Sequence, residues 1–199
     1  MMAERSREIG AQAAALQAKL VGMRRELHRH PELSNEEHAT TARIRTWLQE
    51  AGVPMIPLGL PTGVLAEIRG DRPGPVILLR ADIDALPVKE ETGLPYASET
   101  EGNMHACGHD FHTASMIGAA ILLKQNAHLL DGTVRILFQP AEELATGARD
   151  VIETGALEGI HAVFGMHNKP DLPVGTVGIK TGPLMASVDR FEIRIGGKG

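Results

Sequence analysis

The chain has few of the features that define secreted, membrane-spanning or nucleic-acid-binding proteins. It has one cysteine among its 199 residues, which excludes an internal disulfide and fits a reducing compartment. No apolar run approaches the length that spans a bilayer, and the N-terminus lacks the apolar segment of a secretory signal. It also lacks any block of lysine and arginine, and its net charge is −5. These absences predict a cytoplasmic protein that binds neither nucleic acid nor a membrane.

The apolar residues that are present predict helices alternating with strands. An amphipathic stripe predicts a first helix from about Glu4 to His30, and a second helix is expected to end near Ala51. Continuous apolar runs between turn signals predict three buried strands, at 76–80, 133–138 and 162–166. Shorter or alternating runs predict further strands at 55–58, 63–69, 174–180 and 190–195. This alternation favours an α/β sandwich with a largely parallel sheet.

Polar side chains near the end of the first predicted helix have local interpretations. His28 and His30 fall in its last turn, where the helix dipole favours a positive charge, so capping or surface roles are expected. Ser34 and Glu37 have the S-x-x-E spacing of a capping box. In such a box, the two residues would satisfy backbone N–H groups at the start of the second helix.

The only cysteine lies in a short motif rich in histidine. Cys107 and His109 are separated by one glycine, Asp110 and His112 follow at once, and a predicted helix begins there. A thiolate and an imidazole with nearby carboxylates suit zinc or a neighbouring divalent transition metal. A lone cysteine is more often a small buried apolar residue. Its polar neighbours place a role for Cys107 as metal ligand or nucleophile on an equal footing with that of an inert buried thiol.

Other candidate residues follow the predicted buried strands. Asp82 follows the first strand, the pair Glu142–Glu143 the second, and His167 the third. Ligands of open α/β sheets bind at the carboxyl ends of the strands, so these residues and the cysteine motif are expected at one edge. Taken singly, Asp82 could be a cap, the glutamates a solvated pair, and His167 a buried histidine with satisfied hydrogen bonds. Their joint position at strand ends favours a functional site.

Adjacent glutamates allow two roles that a single carboxylate cannot fill. One can coordinate a cation while the other takes a proton from a metal-activated water, because a bound divalent ion lowers the pKa of that water towards about 7. A general base at this position typically adds about 10²–10⁴-fold to the rate. The sequence therefore predicts metal-assisted hydrolysis.

Five segments occur here in the order and spacing of a known family. They are RRELHRHPELS, LLRADIDALPVKEETGLPYAS, GNMHACGHDFHTA, LFQPAEE and FGMHN. With them the chain resembles the M20 metallopeptidase family, and within it the amidohydrolases of N-acyl amino acids, which include hippurate and auxin-conjugate hydrolases. The resemblance implies a three-layer α/β/α sandwich like that of zinc peptidases, with a mostly parallel sheet, incomplete at the C-terminus. It also implies small N-acyl amino acids as substrates and two divalent metal ions, manganese or zinc, with nickel or cobalt as alternatives.

The motif match implies roles for individual residues. Glu142 would be the general base, and Asp82 would be a carboxylate that orients a metal ligand. Arg80 stands where other branches have a ligand histidine, which His109 would replace. The implied metal ligands are Cys107, His109, Glu143 and His167.

The resemblance further implies a smaller lid domain, inserted into the catalytic domain after the His167 region. Residues 1–185 would be the N-terminal part of the catalytic domain, and 186–199 the start of the lid. A lid histidine that binds substrate, a late metal-ligating histidine and the C-terminal strands of the catalytic domain are expected beyond these 199 residues. The longer protein is a candidate homo-oligomer that associates through the lid.

Three functions stay open at this point. The first is a metal-dependent amidohydrolase, or the N-terminal part of one. The second is a hydrolase with Cys107 as nucleophile and a histidine as base, which leaves the strand-end residues Glu142, Glu143 and His167 unused. The third is a catalytically inactive remnant that retains only part of the metal site.

Overall fold

A five-stranded sheet carries the first part of the protein. The computed structural model describes residues 2–188 and 191–198, and the chain divides into two compact units, Met1–Asn168 and Lys169–Gly199. The helices of the first unit are α1 (Met2–Arg29), α2 (His38–Glu50), α3 (His109–Gln125) and α4 (Gly147–Glu153), with a 3-10 turn at Ala127–Leu129. Its strands are β1 (Met55–Ile56), β2 (Val64–Arg69), β3 (Arg72–Asp82), β4 (Asp131–Gln139) and β5 (Ala162–Gly165). Over the described ranges, no helix is long and apolar enough to cross a membrane.

The sheet has the strand order β1-β2-β4-β3-β5. β3 pairs in parallel with both β4 and β5, whereas β2 pairs antiparallel with β1 and β4. Strand β2 therefore runs against the other four. The predicted α/β sandwich with a mostly parallel sheet is confirmed. Because β3, β4 and β5 are neighbours that run the same way, their carboxyl ends lie side by side.

Alternate residues of the strands fill two separate cores. One core lies between the sheet and α1, α2 and α3, and includes Ala66, Ile136 and Ile117. The other packs Leu65 and Leu137 against Val151 of α4. Successive side chains of a strand point to opposite faces, so neighbours such as Leu65 and Ala66 separate into different layers. Helices consequently cover both faces and give the three layers.

The predicted capping box at the start of α2 is wrong. Glu32 takes that place, because its carboxylate accepts the backbone N–H groups of Ala39 at 3.0 Å and Thr40 at 2.6 Å. Ser34 instead donates to a carboxylate oxygen of Asp84 at 2.7 Å, and Glu37 is buried and accepts the N–H of Ala141 at 2.8 Å. Both side chains form tertiary hydrogen bonds, which replace the local pairing that their spacing suggested.

The expectation that His28 is a capping or surface group is also wrong. Its side chain is 3% exposed, with Nδ1 2.8 Å from an Asp110 carboxylate oxygen and Nε2 3.2 Å from Glu90 Oε1. Arg24 binds the same Asp110 oxygen at 2.9 Å. The last turns of α1 are therefore joined to the start of α3 by a buried histidine–aspartate pair and a partly exposed arginine.

The strands predicted at 174–180 and 190–195 are not seen in the described residues of the second unit. Arg190 itself lies outside those residues. The backbone hydrogen bonds described there are turns, from Leu172 N to the Lys169 carbonyl and from Thr176 N to the Pro173 carbonyl. A strand requires a neighbour for its backbone groups, and apolar alternation alone supplies none.

Candidate metal centre

The candidate residues meet at the carboxyl ends of the three parallel strands. Asp82 is the last residue of β3, Glu142 and Glu143 follow β4, and His167 follows β5. His109 is the first residue of α3, which packs on the same sheet. In open α/β sheets this edge is the usual place for ligands.

The turn into α3 depends on Gly108. This residue precedes the helix in a left-handed conformation, with φ of 87°, that other residues rarely adopt. A Cβ atom on Gly108 would lie 2.6 Å from the side-chain oxygen of Asn168. The glycine thus lets half-buried Cys107 and buried His109 flank a tight turn, with the segment after β5 packed directly on it.

Two carboxylates from other elements hold the turn that carries the paired glutamates. Glu37 accepts the N–H of Ala141, and Asp84 accepts the N–H of Glu143 at 2.9 Å. Ala141 is buried and has a positive φ of 51°. This tethered turn directs Glu142 and Glu143 towards His109.

The two ring nitrogens of His109 differ in their hydrogen bonding. Its Nδ1 donates to the backbone oxygen of Asp84 at 2.9 Å and lies 3.2 Å from the Asp84 Oδ1 atom. The Nε2 atom is buried and has no hydrogen-bond partner among the described residues. Carboxylate oxygens of Asp82, Glu143 and Glu142 lie 3.6, 3.8 and 3.9 Å from it. A ring nitrogen that faces acidic oxygens at these distances fits a position between them for a cation.

The possible ligand atoms form groups that share His109. One group is Cys107, His109 and His167, and another is His109, Glu142 and Glu143, with the ligand atoms of each group within 4.8 Å of one another. Cys107 Sγ lies 3.4 Å from His167 Nε2, while His167 Nδ1 donates to the Asn168 backbone oxygen at 2.8 Å. Thiolate, imidazole and carboxylate donors suit divalent transition metals, so the residues present fit such ions.

Asp82 contacts this cluster mainly through His112. One Asp82 carboxylate oxygen lies 2.5 Å from His112 Nδ1, and the other accepts a bond from Arg80 at 2.8 Å. The carboxylate bonded to the ring of His109 is that of Asp84, which was not among the predicted site residues. A second aspartate two residues after Asp82 at a strand end was the available signal.

The local environment shifts the pKa values of two acidic groups of the site in opposite directions. Burial raises the pKa of Asp82, but the His112 hydrogen bond and the charges of His109 and Arg80 outweigh it and lower the value to about 2. Burial also raises the pKa of Glu143, and the charge of His109 only partly offsets this rise. Asp82 is thus held ionised, whereas the ionised form of Glu143 would be stabilised more by a nearby cation.

The thiol and the imidazole also have shifted pKa values. Burial, followed by the charge of Glu143, raises the pKa of Cys107 to about 12. Burial lowers the pKa of His109, but the Asp84 hydrogen bond and the charge of Asp82 outweigh it and raise the pKa. The negative charge of the surrounding carboxylates therefore opposes a free thiolate at neutral pH. A bound cation is the species that this charge favours.

The fold and the site together define a mostly parallel α/β sheet that carries side chains suited to divalent metal ions at its carboxyl edge. The model of Peptidase family M20/M25/M40 matches residues 78–197, more than half of the chain. The chain belongs to this family, and the expected family resemblance is confirmed.

Relatives and solved structures agree with this membership. The N-acetylcysteine deacetylase of Bacillus subtilis is 63% identical over 186 residues, covering 93% of this chain and 49% of the relative. The N-acyl-L-amino acid amidohydrolase of Geobacillus stearothermophilus is 44% identical over 181 residues, covering 90% and 49%. A Bacillus subtilis structure described as a dinuclear metal binding peptidase from the M20 family superposes with a TM-score of 0.85 at 60% identity, covering 86% and 48%. The chain spans about half the length of the curated relatives it matches.

Proposed function

We propose that this chain is the N-terminal part of a metal-dependent amidohydrolase that hydrolyses the amide bond of N-acyl amino acids. The observation that carries the proposal is the buried Nε2 of His109, which has no hydrogen-bond partner in the described part of the chain and faces Glu142 and Glu143 while Nδ1 is held by Asp84. The names of the relatives, a deacetylase and an amidohydrolase of N-acyl amino acids, support the substrate class.

The proposed centre holds two divalent ions, manganese or zinc, with nickel or cobalt as alternatives. When bound, the ions would supply Lewis acidity that activates water and polarises the amide carbonyl. The proposed ligands are Cys107, His109, Glu143 and His167, with Asp82 as a supporting carboxylate. The description of the Bacillus subtilis structure as dinuclear supports this number of ions.

The paired glutamates divide two roles according to exposure. The Glu143 side chain is 19% exposed and its Oε1 atom is buried without a hydrogen-bond partner in the described part of the chain, which suits a ligand. The Glu142 side chain is 38% exposed and can meet both solvent and substrate. As general base, Glu142 takes a proton from the attacking water and can deliver it to the leaving amine nitrogen. The products are then a carboxylic acid and a free amino acid.

A cysteine-nucleophile hydrolase is the second candidate, and one contact favours it. Cys107 Sγ lies 3.4 Å from His167 Nε2, a separation compatible with a nucleophile and its base. However, the pKa of about 12 leaves this thiol protonated at neutral pH unless a cation offsets the surrounding carboxylates. The same contact is explained by two ligands that converge on an ion, so the metal role is preferred.

Chelation and alkylation distinguish these functions. The purified protein would be assayed on an N-acetyl amino acid before chelation, after chelation, and after addition of manganese or zinc. We expect chelation to abolish hydrolysis and the metal to restore it. Hydrolysis that survives complete metal removal but not alkylation of Cys107 would instead establish the nucleophile. A protein that binds metal without hydrolysing a range of N-acyl amino acids would be the inactive remnant.

We propose that 1–185 belong to the catalytic domain, that 186–199 begin a lid through which the longer protein forms a homo-oligomer, and that the protein is cytoplasmic. Deletion of the lid from the longer protein should then give monomers on sedimentation analysis. Retention of the native oligomer would contradict the role of the lid.

A further inference from the structure

His112 is a completely buried histidine whose two ring nitrogens have different partners. Nδ1 lies 2.5 Å from Asp82 Oδ1, and Nε2 lies 2.9 Å from the backbone N of Asn168. The backbone amide can only donate, so His112 Nε2 is the acceptor. Nδ1 therefore carries the proton and donates it to Asp82. The ring is a neutral bridge between the end of β3 and the segment after β5.

These two bonds separate His112 from the ligands proposed above. Asp82, His109 and His112 form a third group whose possible ligand atoms lie within 4.8 Å. Yet the lone pair of His112 is already occupied by the Asn168 amide. His109 differs, because its Nε2 has no hydrogen-bond partner within the described ranges. The hydrogen bonds thus give these two histidines of α3 different chemistry.

The hydrogen bond to the Asn168 amide fixes the backbone directly beside His167. The two residues are adjacent, and the His167 ring lies edge-on to the His112 ring with centroids 4.8 Å apart. His167 Nδ1 donates to the Asn168 oxygen, which leaves Nε2 facing Cys107 at 3.4 Å. His167 is exposed and lies two residues beyond the end of the short strand β5, so the strand itself does not hold it.

We infer that His112 is a positioning residue that holds the His167-bearing segment at the metal centre, and that it is not a metal ligand. The inference rests on the proposed function, since it assigns a role relative to the proposed ligands. Asp82 fixes the proton of His112 on Nδ1, Nε2 of His112 then accepts the Asn168 amide, and this bond places His167 beside Cys107. Partners of this kind, which orient metal ligands, typically affect metal affinity by about 10–100-fold.

Two substitutions each remove one of the two hydrogen bonds of His112 and can keep the other. In His112→Gln, the side-chain oxygen can occupy the position of Nε2 and accept the Asn168 amide, while the donor to Asp82 is lost. In His112→Asn, the amide nitrogen can occupy the position of Nδ1 and donate to Asp82, while the acceptor for Asn168 is lost. Cobalt(II) titrations would report the affinity, the number of ions bound and the thiolate-to-cobalt absorption band. His167→Ala serves as the reference for loss of a ligand.

We expect His112→Asn to lower cobalt affinity by about 10–100-fold and to alter the thiolate band. His112→Gln should remain close to the unsubstituted protein in affinity, ion number and band. Loss of the same ion in both variants as in His167→Ala would make His112 a ligand and overturn the inference. Unchanged binding in both variants would overturn it as well. Failure of the unsubstituted protein to bind cobalt through its thiol would instead contradict the proposed function.

A measurement on the unsubstituted protein tests the same inference if the variants do not fold. Loaded with cadmium-113, the protein should show one-bond cadmium–nitrogen coupling in NMR spectra for the His109 and His167 rings. The His112 ring should show none, and its Nδ1 should carry the proton. Coupling to His112 would overturn the inference directly.

Discussion

His109 Nδ1 lies 2.9 Å from the backbone oxygen of Asp84 and 3.2 Å from a carboxylate oxygen of the same residue. The hydrogen bonds fix the ring orientation and leave Nε2 towards Glu142 and Glu143. Asp84 also receives the Ser34 hydroxyl and the Glu143 amide. One buried carboxylate therefore sets the geometry of a proposed ligand and of the turn that carries another.

The first prediction concerns Asp84. In Asp84→Ala, the His109 ring loses its carboxylate partner, so metal affinity should fall by about 10–100-fold. Calorimetric titration with manganese or zinc measures the change. Asp71→Ala, at an exposed turn position, is the control and should bind as the unsubstituted protein does. Equal affinities for the Asp84 and Asp71 variants would contradict the role given to Asp84.

The second prediction separates the adjacent glutamates. In the longer protein, Glu142→Gln should reduce turnover by about 10²-fold or more with nearly unchanged metal content, because it removes a base and not a ligand. Glu143→Gln should instead lower metal occupancy. Metal analysis beside steady-state kinetics tests both. The reverse pattern would exchange the roles of the two residues.

The third prediction concerns Gly108. Gly108→Ala combines an unfavourable positive φ with a Cβ atom 2.6 Å from the Asn168 side chain. Gly93→Ala is the matched control, since Gly93 has a φ of 65° but open space around its Cβ position. The control should lose about 1–2 kcal/mol of unfolding free energy from the backbone alone. Gly108→Ala should lose more and should also bind metal more weakly, as chemical denaturation and metal titration would show.

The fourth prediction is a pH dependence that arises from His28. The hydrogen bond to Asp110 raises the pKa of His28 above its ordinary 6.5; burial opposes this rise, and the Asp110 charge and Glu90 support it. Because the pKa is raised in the folded state, the pairing of protonated His28 stabilises the fold to its full extent at pH values below the unfolded pKa of 6.5. This contribution is lost as the pH rises through the folded-state pKa. His28→Gln should therefore destabilise the protein more at about pH 6 than at about pH 9.

Urea denaturation at the two pH values measures this difference. His128→Gln, at an exposed position, is the control for a histidine without these buried partners. The pKa values of the partner carboxylates, Asp110 and Glu90, set the lower pH limit of this stabilisation. Burial raises the pKa of Asp110 and of Glu90, but hydrogen bonds and nearby positive charge lower both below their ordinary values of 3.8 and 4.5. An equal effect of His28→Gln at both pH values would show that the pair is not ionic.

The sequence by itself determined the layers of the first unit and the place of its site. The apolar runs 76–80 and 133–138 form inner strands that pack on both faces of the sheet. The prediction of a buried strand at 162–166 is wrong in its burial, because β5 lies at the sheet edge with Val163 and Phe164 55% and 57% exposed. Side chains that follow parallel strands must meet at one edge. Asp82, Glu142, Glu143 and His167 were therefore recognisable as neighbours from their positions alone.

Only the tertiary structure decided which polar atoms pair with which. The ring of His109 donates a hydrogen bond to Asp84 rather than to Asp82. Glu37 accepts the backbone N–H of Ala141 instead of one at the start of its own helix, and His28 pairs with Asp110 inside the protein. Each bond joins residues far apart in the chain, and its strength depends on burial and on competing partners at a single point in space. Local spacing describes the conformation of neighbouring residues, whereas these pairings exist only after the sheet and helices have packed.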